Sequence, residues 1–225
     1  MLEILQEYDV LAAFRMTVYL TFFSAIGSLV LGTVLAVMRV SPVPTLRRLG
    51  ALYVNTVRNT PLTLILLFCV LGVLYVLQVP LAPTDSPTSV RDNAIRWAIV
   101  GLSVYHAAFV CEALRSGVNT VDLGQAEAAR SIGLTFAQSM REVILPQAFR
   151  GAIAPLGSVL IALTKNTTVA SIIGVAEASG LMKTIIENET ASVAVFMVFA
   201  LGFVILTLPL GLLFTSLSRR LAVKR

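Results

Sequence analysis

Four apolar runs, residues 16–38, 60–79, 94–114 and 192–217, decide most of what this chain can fold into. An α-helix needs about 20 predominantly apolar residues to cross the hydrocarbon core of a bilayer, and each run meets that length. A fifth run, Pro146 to Thr164, carries Arg150 and Pro155. It crosses only if Arg150 sits at the headgroup level and neighbouring helices cover the backbone that the proline frees. The composition agrees, since 57% of the 225 residues are hydrophobic, 13% are charged and the mean hydropathy is +0.88. Those values lie outside the range of soluble domains. The predicted fold is an all-α membrane protein with five transmembrane helices.

The basic residues set the predicted orientation. Segments 39–58, 115–150 and 219–225 hold twelve of the 17 Lys and Arg side chains: Arg39, Arg47, Arg48, Arg58, Arg115, Arg130, Arg141, Arg150, Arg219, Arg220, Lys224 and Arg225. The opposite face holds Arg15, Arg91, Arg96, Lys165 and Lys183. The positive-inside rule then places the N-terminus outside, the C-terminus inside and the loop 121–145 in the cytosol. The start, "MLEILQEYDV", has acids and no lysine or arginine, unlike a cleavable signal peptide, so the first span is expected to stay in the mature protein. A nucleic-acid partner is excluded, because the basic residues fall at the ends of apolar runs instead of on one solvated face with aromatics between them.

Within this frame three segments stand out. Ser24, Ser28, Gly32 and Ala36 put small residues on one face of the first span, a spacing that lets another helix approach closely. Residues 167–183 are apolar enough to enter the membrane but too short to cross it, and read as a broken or re-entrant segment. The loop 121–145, "VDLGQAEAARSIGLTFAQSMREVIL", carries paired helix signals. Asp122 with Gln125 has the form of a capping box, Gly133 sits where a C-terminal cap belongs, and Thr135 with Gln138 repeats the start signal. The expectation is two short helices, about 122–132 and 135–145. Helices of roughly ten residues are marginal alone in water, so they must dock.

The stretch "EAARSIG", then nine residues leading to "VILP", resembles the EAA loop of permease subunits of bacterial ATP-driven importers, with Val143 where the pattern has Ile. More of the chain is similar to the polar amino-acid branch: "VRNTPLTLILLF", "EALRSGVNTVDLGQAEAARSIGL" and "LTKNTTVASIIGVAEA". Two details, "TVRNTPLTL" and "LIALTKNTTVASIIGVAEAS", look closest to the smaller permease of actinobacterial glutamate importers. The resemblance implies one transmembrane permease domain in the bacterial plasma membrane, and a polar amino acid, L-glutamate, as substrate. It also implies as partners a second permease subunit (a related chain rather than a copy), two cytosolic ATPases and an extracytoplasmic substrate-binding protein. By the same resemblance Gln125, Glu127, Ala128, Ala129, Arg130 and Gly133 form a coupling helix that seats in the ATPase.

Ionisable groups in or near the membrane mark the pathway by default, which singles out Lys165 with Asn166, Thr167 and Thr168, then Arg58, Glu112 and His106, with Arg150 weaker. The family's segment has an acid at the position of Asn166, and its loss makes the place less hostile to an anionic side chain. Lys165 either meets substrate or snorkels to the outer interface. Arg58 and Glu112 suit ion pairs between gate helices. The chain itself has no G-x-x-x-x-G-K-[ST] loop, and "GLMKT" at 180–184 lacks the adjacent Gly-Lys pair. ATP and Mg are therefore expected in the partner ATPase, with no cofactor on this chain. Cys69, Cys111 and the single His106 lack metal-ligand spacing, and no catalytic constellation is visible. An ion-gradient-driven secondary transporter is the alternative that the broken segment would suit, but it leaves the capped loop without a purpose.

Overall fold

A computed structural model describes residues 7–189 and 192–221, all α, 3₁₀ or π helix and connections, with no strand among the described residues. Glu3, Lys224 and Arg225, used above in the charge and terminus readings, lie outside the described residues.

Helix α1 spans Val10–Val40, begins where Asp9 accepts the Ala12 N–H at 2.8 Å, and stops before the Ser41-Pro42 pair. Helix α2, Pro44–Arg58, takes Pro44 at its first position, where a missing N–H costs nothing. Helix α3, Leu62–Val76, follows after a 102° bend at Asn59–Pro61. Pro61 cannot donate to the preceding turn and drives Thr60 out of helical geometry, so the chain turns there. Helix α4 spans Ser89–Val118, α5 Leu123–Ser131, α6 Phe136–Ile173, α7 Ala178–Asn188 and α8 Ser192–Leu221.

Four of these, α1, α4, α6 and α8, are each long and apolar enough to cross a bilayer. The run 60–79 differs from a simple span. Its helix starts at Leu62, turns π-helical from Phe68 to Val76, and reaches spanning length only together with α2 across the bend. The reason is Pro61, which the hydropathy pattern absorbs as one more apolar residue.

Packing centres on α4. The small stripe of α1 lies against it, with Ser24, Ser28, Gly32 and Ala36 all buried. A Cβ on Gly32 would lie 2.5 Å from the Val110 Cγ1 and 2.9 Å from the Ala107 carbonyl oxygen, so only glycine permits this crossing. Gly32→Val should therefore lower stability by about 1–3 kcal/mol, the usual range for an overfilled core. A thermal melt in detergent would read this, and an unchanged midpoint would show that α1 does not need the close approach. Helix α2 joins the same bundle by burying Gly50 and Val54, and the Tyr53 hydroxyl donates to the Val104 carbonyl at 2.9 Å. Helix α8 lies on α6, where the Phe214 ring fills the space above Gly157.

Candidate functional site

The loop between α4 and α6 is built as a projecting helix on a narrow base. Asp122 opens α5 by accepting the Gly124 N–H at 2.7 Å. The capping box is not completed: the Gln125 N–H donates to the Asp122 carbonyl at 3.0 Å instead of to the Asp122 carboxylate. The far end closes with two bonds, Leu134 N–H to the Ala129 carbonyl at 3.1 Å and Gly133 N–H to the Arg130 carbonyl at 3.0 Å. This is the Schellman arrangement, and Gly133 supplies the left-handed residue it needs at φ +85°.

The second start signal is a complete capping box. The Gln138 N–H donates to Thr135 Oγ1 at 3.3 Å, and the Thr135 N–H donates to Gln138 Oε1 at 2.9 Å. The helix it opens, expected over about 135–145, leads through Pro146 into the next span and is the beginning of α6. Residues Ser139–Ile144 are π-helical and run directly into Leu145–Asn166. Pro146 removes one helical donor, and the wider π turns just before it let the rod continue without a break.

Gln125, Glu127, Ala128, Arg130 and Gly133 are exposed on α5 and its cap. Ala129 is not. It is buried, turned toward the first turns of α6, so it holds α5 to its own chain instead of offering a surface to a partner. The base of the projection is tighter still. A Cβ on Gly117 would overlap the Ala148 carbonyl oxygen and lie 2.9 Å from the Ala152 Cβ, and one on Gly151 would overlap Thr120 Oγ1. The two arms of the loop thus leave the bundle in backbone contact. Neither glycine was singled out above, because each looks like one more small residue in an apolar run.

Glu112, nearly two turns before the end of α4, gathers three arginines. Arg39 from α1 pairs with its Oε1, Arg58 from α2 lies 3.9 Å from the same oxygen, and Arg115 lies 3.8 Å from Oε2. Arg58 and Arg115 are nearly half exposed, whereas Arg39 is only 12% exposed. Arg39 is therefore the partner that matters energetically, because exposed pairs contribute little and a mostly buried arginine left unpaired is costly. Glu112→Gln is expected to lower stability by about 1–3 kcal/mol, with smaller losses for Arg58→Gln. Equal losses at Arg39, Arg58 and Arg115 would contradict this ranking.

Toward the other end of α6 the remaining sequence-selected residues part company. His106 is buried in α4, its Nδ1 donates to the Leu102 carbonyl at 2.9 Å, and its Nε2 accepts from the Asn166 amide at 3.1 Å. That pattern requires neutral imidazole with the proton on Nδ1. Thr167 is fully buried and donates to the Thr164 carbonyl at 2.8 Å, so it faces the core in this structure. Lys165 is exposed and, among the described residues, takes part in no ion pair. Thr168 donates to the Lys165 carbonyl at 2.7 Å. The α-helical part of α6 ends at Asn166 and continues as 3₁₀ helix over Thr167–Ile173, and the chain then turns at Gly174, φ +85°, into α7.

Glu177 was not singled out in the sequence. It is fully buried, accepts the Ser179 N–H at 2.9 Å and the Gly180 N–H at 2.8 Å, and so opens α7. Next to it the Ala178 N–H donates to Thr17 Oγ1 of α1 at 3.2 Å. Glu177→Ala leaves those two amides without a partner and should cost about 1–2 kcal/mol. Glu177→Gln keeps an acceptor and should cost less, as a paired thermal melt would report. The two cysteines are buried and free, and no group of three possible metal ligands occurs among the described residues.

Residues 28–224 match the family described as binding-protein-dependent transport system inner membrane component. The chain belongs to this family. As a family member it is a multi-pass inner membrane component, and its projecting α5 carries the "EAARSIG" stretch. The chain is 57% identical over 218 residues to the glutamate transport system permease protein GluC of Corynebacterium efficiens, covering 96% of each chain. It is 36% identical to the probable glutamine ABC transporter permease protein GlnM of Bacillus subtilis, covering 92% of this chain and 91% of the relative. A crystal structure of an amino acid ABC transporter with histidines superposes with a TM-score of 0.79 at 28% identity, covering 97% of both chains. This membrane component therefore has the helical fold of an ABC importer permease.

Proposed function

We propose that this chain is the membrane-spanning half of an ATP-driven importer for a polar amino acid, L-glutamate, working with a second, related permease subunit. Its N-terminus lies outside and its C-terminus inside, so α5 projects into the cytosol. Two ATPase subunits bind and hydrolyse ATP with Mg, and an extracytoplasmic binding protein delivers the substrate. Glu127, Ala128, Gln125, Arg130 and Gly133 make the contact with one ATPase, and Ala129 holds α5 to the start of α6. Closure of the ATPase pair then draws on α5 and moves α4 and α6, opening the pathway outward.

The observation that carries this reading is the geometry of α5. It is capped at both ends, exposed along its charged side, and rooted where α4 and α6 meet backbone to backbone. The 57% identity to a glutamate permease over 96% of the chain supports the substrate. Lys165 exposed beside a neutral Asn166 suits an anionic side chain.

The test is uptake into vesicles holding the full assembly, with ATP inside and labelled glutamate outside. Uptake should require ATP, and unlabelled glutamate should compete better than glutamine or arginine. Glu127→Ala should reduce the rate about tenfold, the scale of one important interface residue. Uptake driven by an ion gradient without ATP would instead support a secondary transporter.

A further inference from the structure

At the base of the bundle, on the side that the proposed orientation places in the cytosolic leaflet, an apolar groove of 500 Å³ opens between two elements. One wall is the end of α1 and the elbow into α2, with Met38, Pro42 and Leu46. The other is the first turns of α6, with Phe136, Met140 and Leu145. The volume falls within the range of about 300–1,000 Å³ that ligand sites occupy. Only two lining side chains are polar, Ser41 and Arg141. The Ser41 hydroxyl is already engaged, accepting the Val43 N–H at 3.1 Å. The groove thus offers an extended peptide almost nothing with which to satisfy its backbone, which excludes a polypeptide strand as its natural filling.

The rim has the opposite character. Arg141 lines the groove, with its Nε 3.4 Å from Glu142 Oε1. Arg47, the next residue along α2 from the groove-lining Leu46, is exposed, while Arg48 lies on the opposite side of the helix, and the first turn of α2 contains no acid. An apolar cleft with a net positive mouth fits an amphiphile that has an acyl chain and an anionic head.

Depth agrees with that occupant. Helix α1 has 31 residues, about 46 Å at 1.5 Å per residue. It exceeds the hydrocarbon core of about 30 Å, so its last turn reaches the headgroup layer. Basic pockets between helices at the cytoplasmic face are where anionic headgroups bind. We propose that this groove holds one acyl chain of an anionic phospholipid, whose phosphate is bound by Arg47 and Arg141. The lipid would sit between the α1–α2 elbow and the arm that carries α5. The proposal rests on the cytosolic placement of α5 given above.

The test places a photoreactive benzoylphenylalanine at Ala137, a groove residue, and in a second variant at Glu127, within the full assembly in vesicles of equal parts phosphatidylglycerol and phosphatidylcholine. Residue 137 should label phosphatidylglycerol over phosphatidylcholine by at least about fivefold. Arg47→Gln with Arg141→Gln should bring that ratio close to one, and excess inorganic phosphate should leave it unchanged. Labelling of an ATPase or the second permease from position 137, equal labelling of the two lipids, or loss of the preference in phosphate would overturn the lipid site. Position 127 reports separately: adducts with the ATPase uphold the orientation whatever 137 does, and their absence breaks the functional reading on which the lipid site depends.

Discussion

Gly117→Val is expected to abolish uptake, at least about a hundredfold below the parent, while leaving much of the membrane-inserted chain helical. The Cβ alone would overlap the Ala148 carbonyl oxygen and crowd the Ala152 backbone nitrogen at 3.0 Å. Neither is a flexible side-chain end that can rotate away, so α4 and α6 must separate at the root of the coupling loop. The strain belongs to the upper part of the range for overpacked cores, about 3 kcal/mol. Such a separation also moves Thr120, whose hydroxyl donates to the Gly117 carbonyl at 2.7 Å and faces Gly151. The measurement is ATP-driven glutamate uptake beside ATPase activity. Uptake should vanish while the ATPase subunits still hydrolyse, because their own sites are untouched. Gly117→Ala should be damaging but less so, and normal uptake in the valine variant would show that the arms need not touch.

Lys165→Gln is the second large effect. A single ammonium meeting the side-chain carboxylate of glutamate makes a charge-assisted hydrogen bond worth about 1.5–3 kcal/mol. Its loss should raise KM for glutamate by about 10–100-fold with a much smaller change in kcat. Uptake of glutamine, where the variant's neutral side chain suffices, should change little. Lys165→Arg should restore most of the affinity. If Lys165 merely extends to the interface, KM stays as it was and thermal stability falls slightly instead. Because Asn166 is tied to His106 at 3.1 Å, Asn166→Asp should weaken glutamate uptake from the other direction, by placing a negative charge beside Lys165.

The spanning helices were legible because hydrophobic length is a one-dimensional property that the bilayer reads directly. So were the caps of α5 and α6, since Asp122, Gly133, Thr135 and Gln138 act over three or four residues of sequence. Helix α2 was hidden: Arg47, Arg48 and Arg58 made 39–58 look like a charged connection, and its two buried residues, Gly50 and Val54, are too few to show a stripe. The inward turn of Ala129 could not be read either, because Ala126, Ala128 and Ala129 are chemically alike and only the fold decides which one is covered. Among the ionisable residues the sequence found Glu112 and Arg58 but passed over Arg39, 73 positions from its partner. Thr167 and Glu177 tell the same lesson: their surroundings come from elements distant in sequence.

One consequence follows from the continuity of α6. Over 38 residues from Phe136 to Ile173 it is a single bar about 57 Å long. It is gripped by α4 near Ala148 and Ala152, nearer its α5 end than its far end. A bar held there has unequal arms, and a tilt imposed on the short arm sweeps the long arm through a larger arc, by a factor of about 1.5 to 2 on residue count. On the orientation proposed above, the crossing at Gly117 would act as a fulcrum that magnifies a small stroke of α5. Such a tilt would have to break the Asn166–His106 hydrogen bond at 3.1 Å, which ties the longer arm to α4 in this structure.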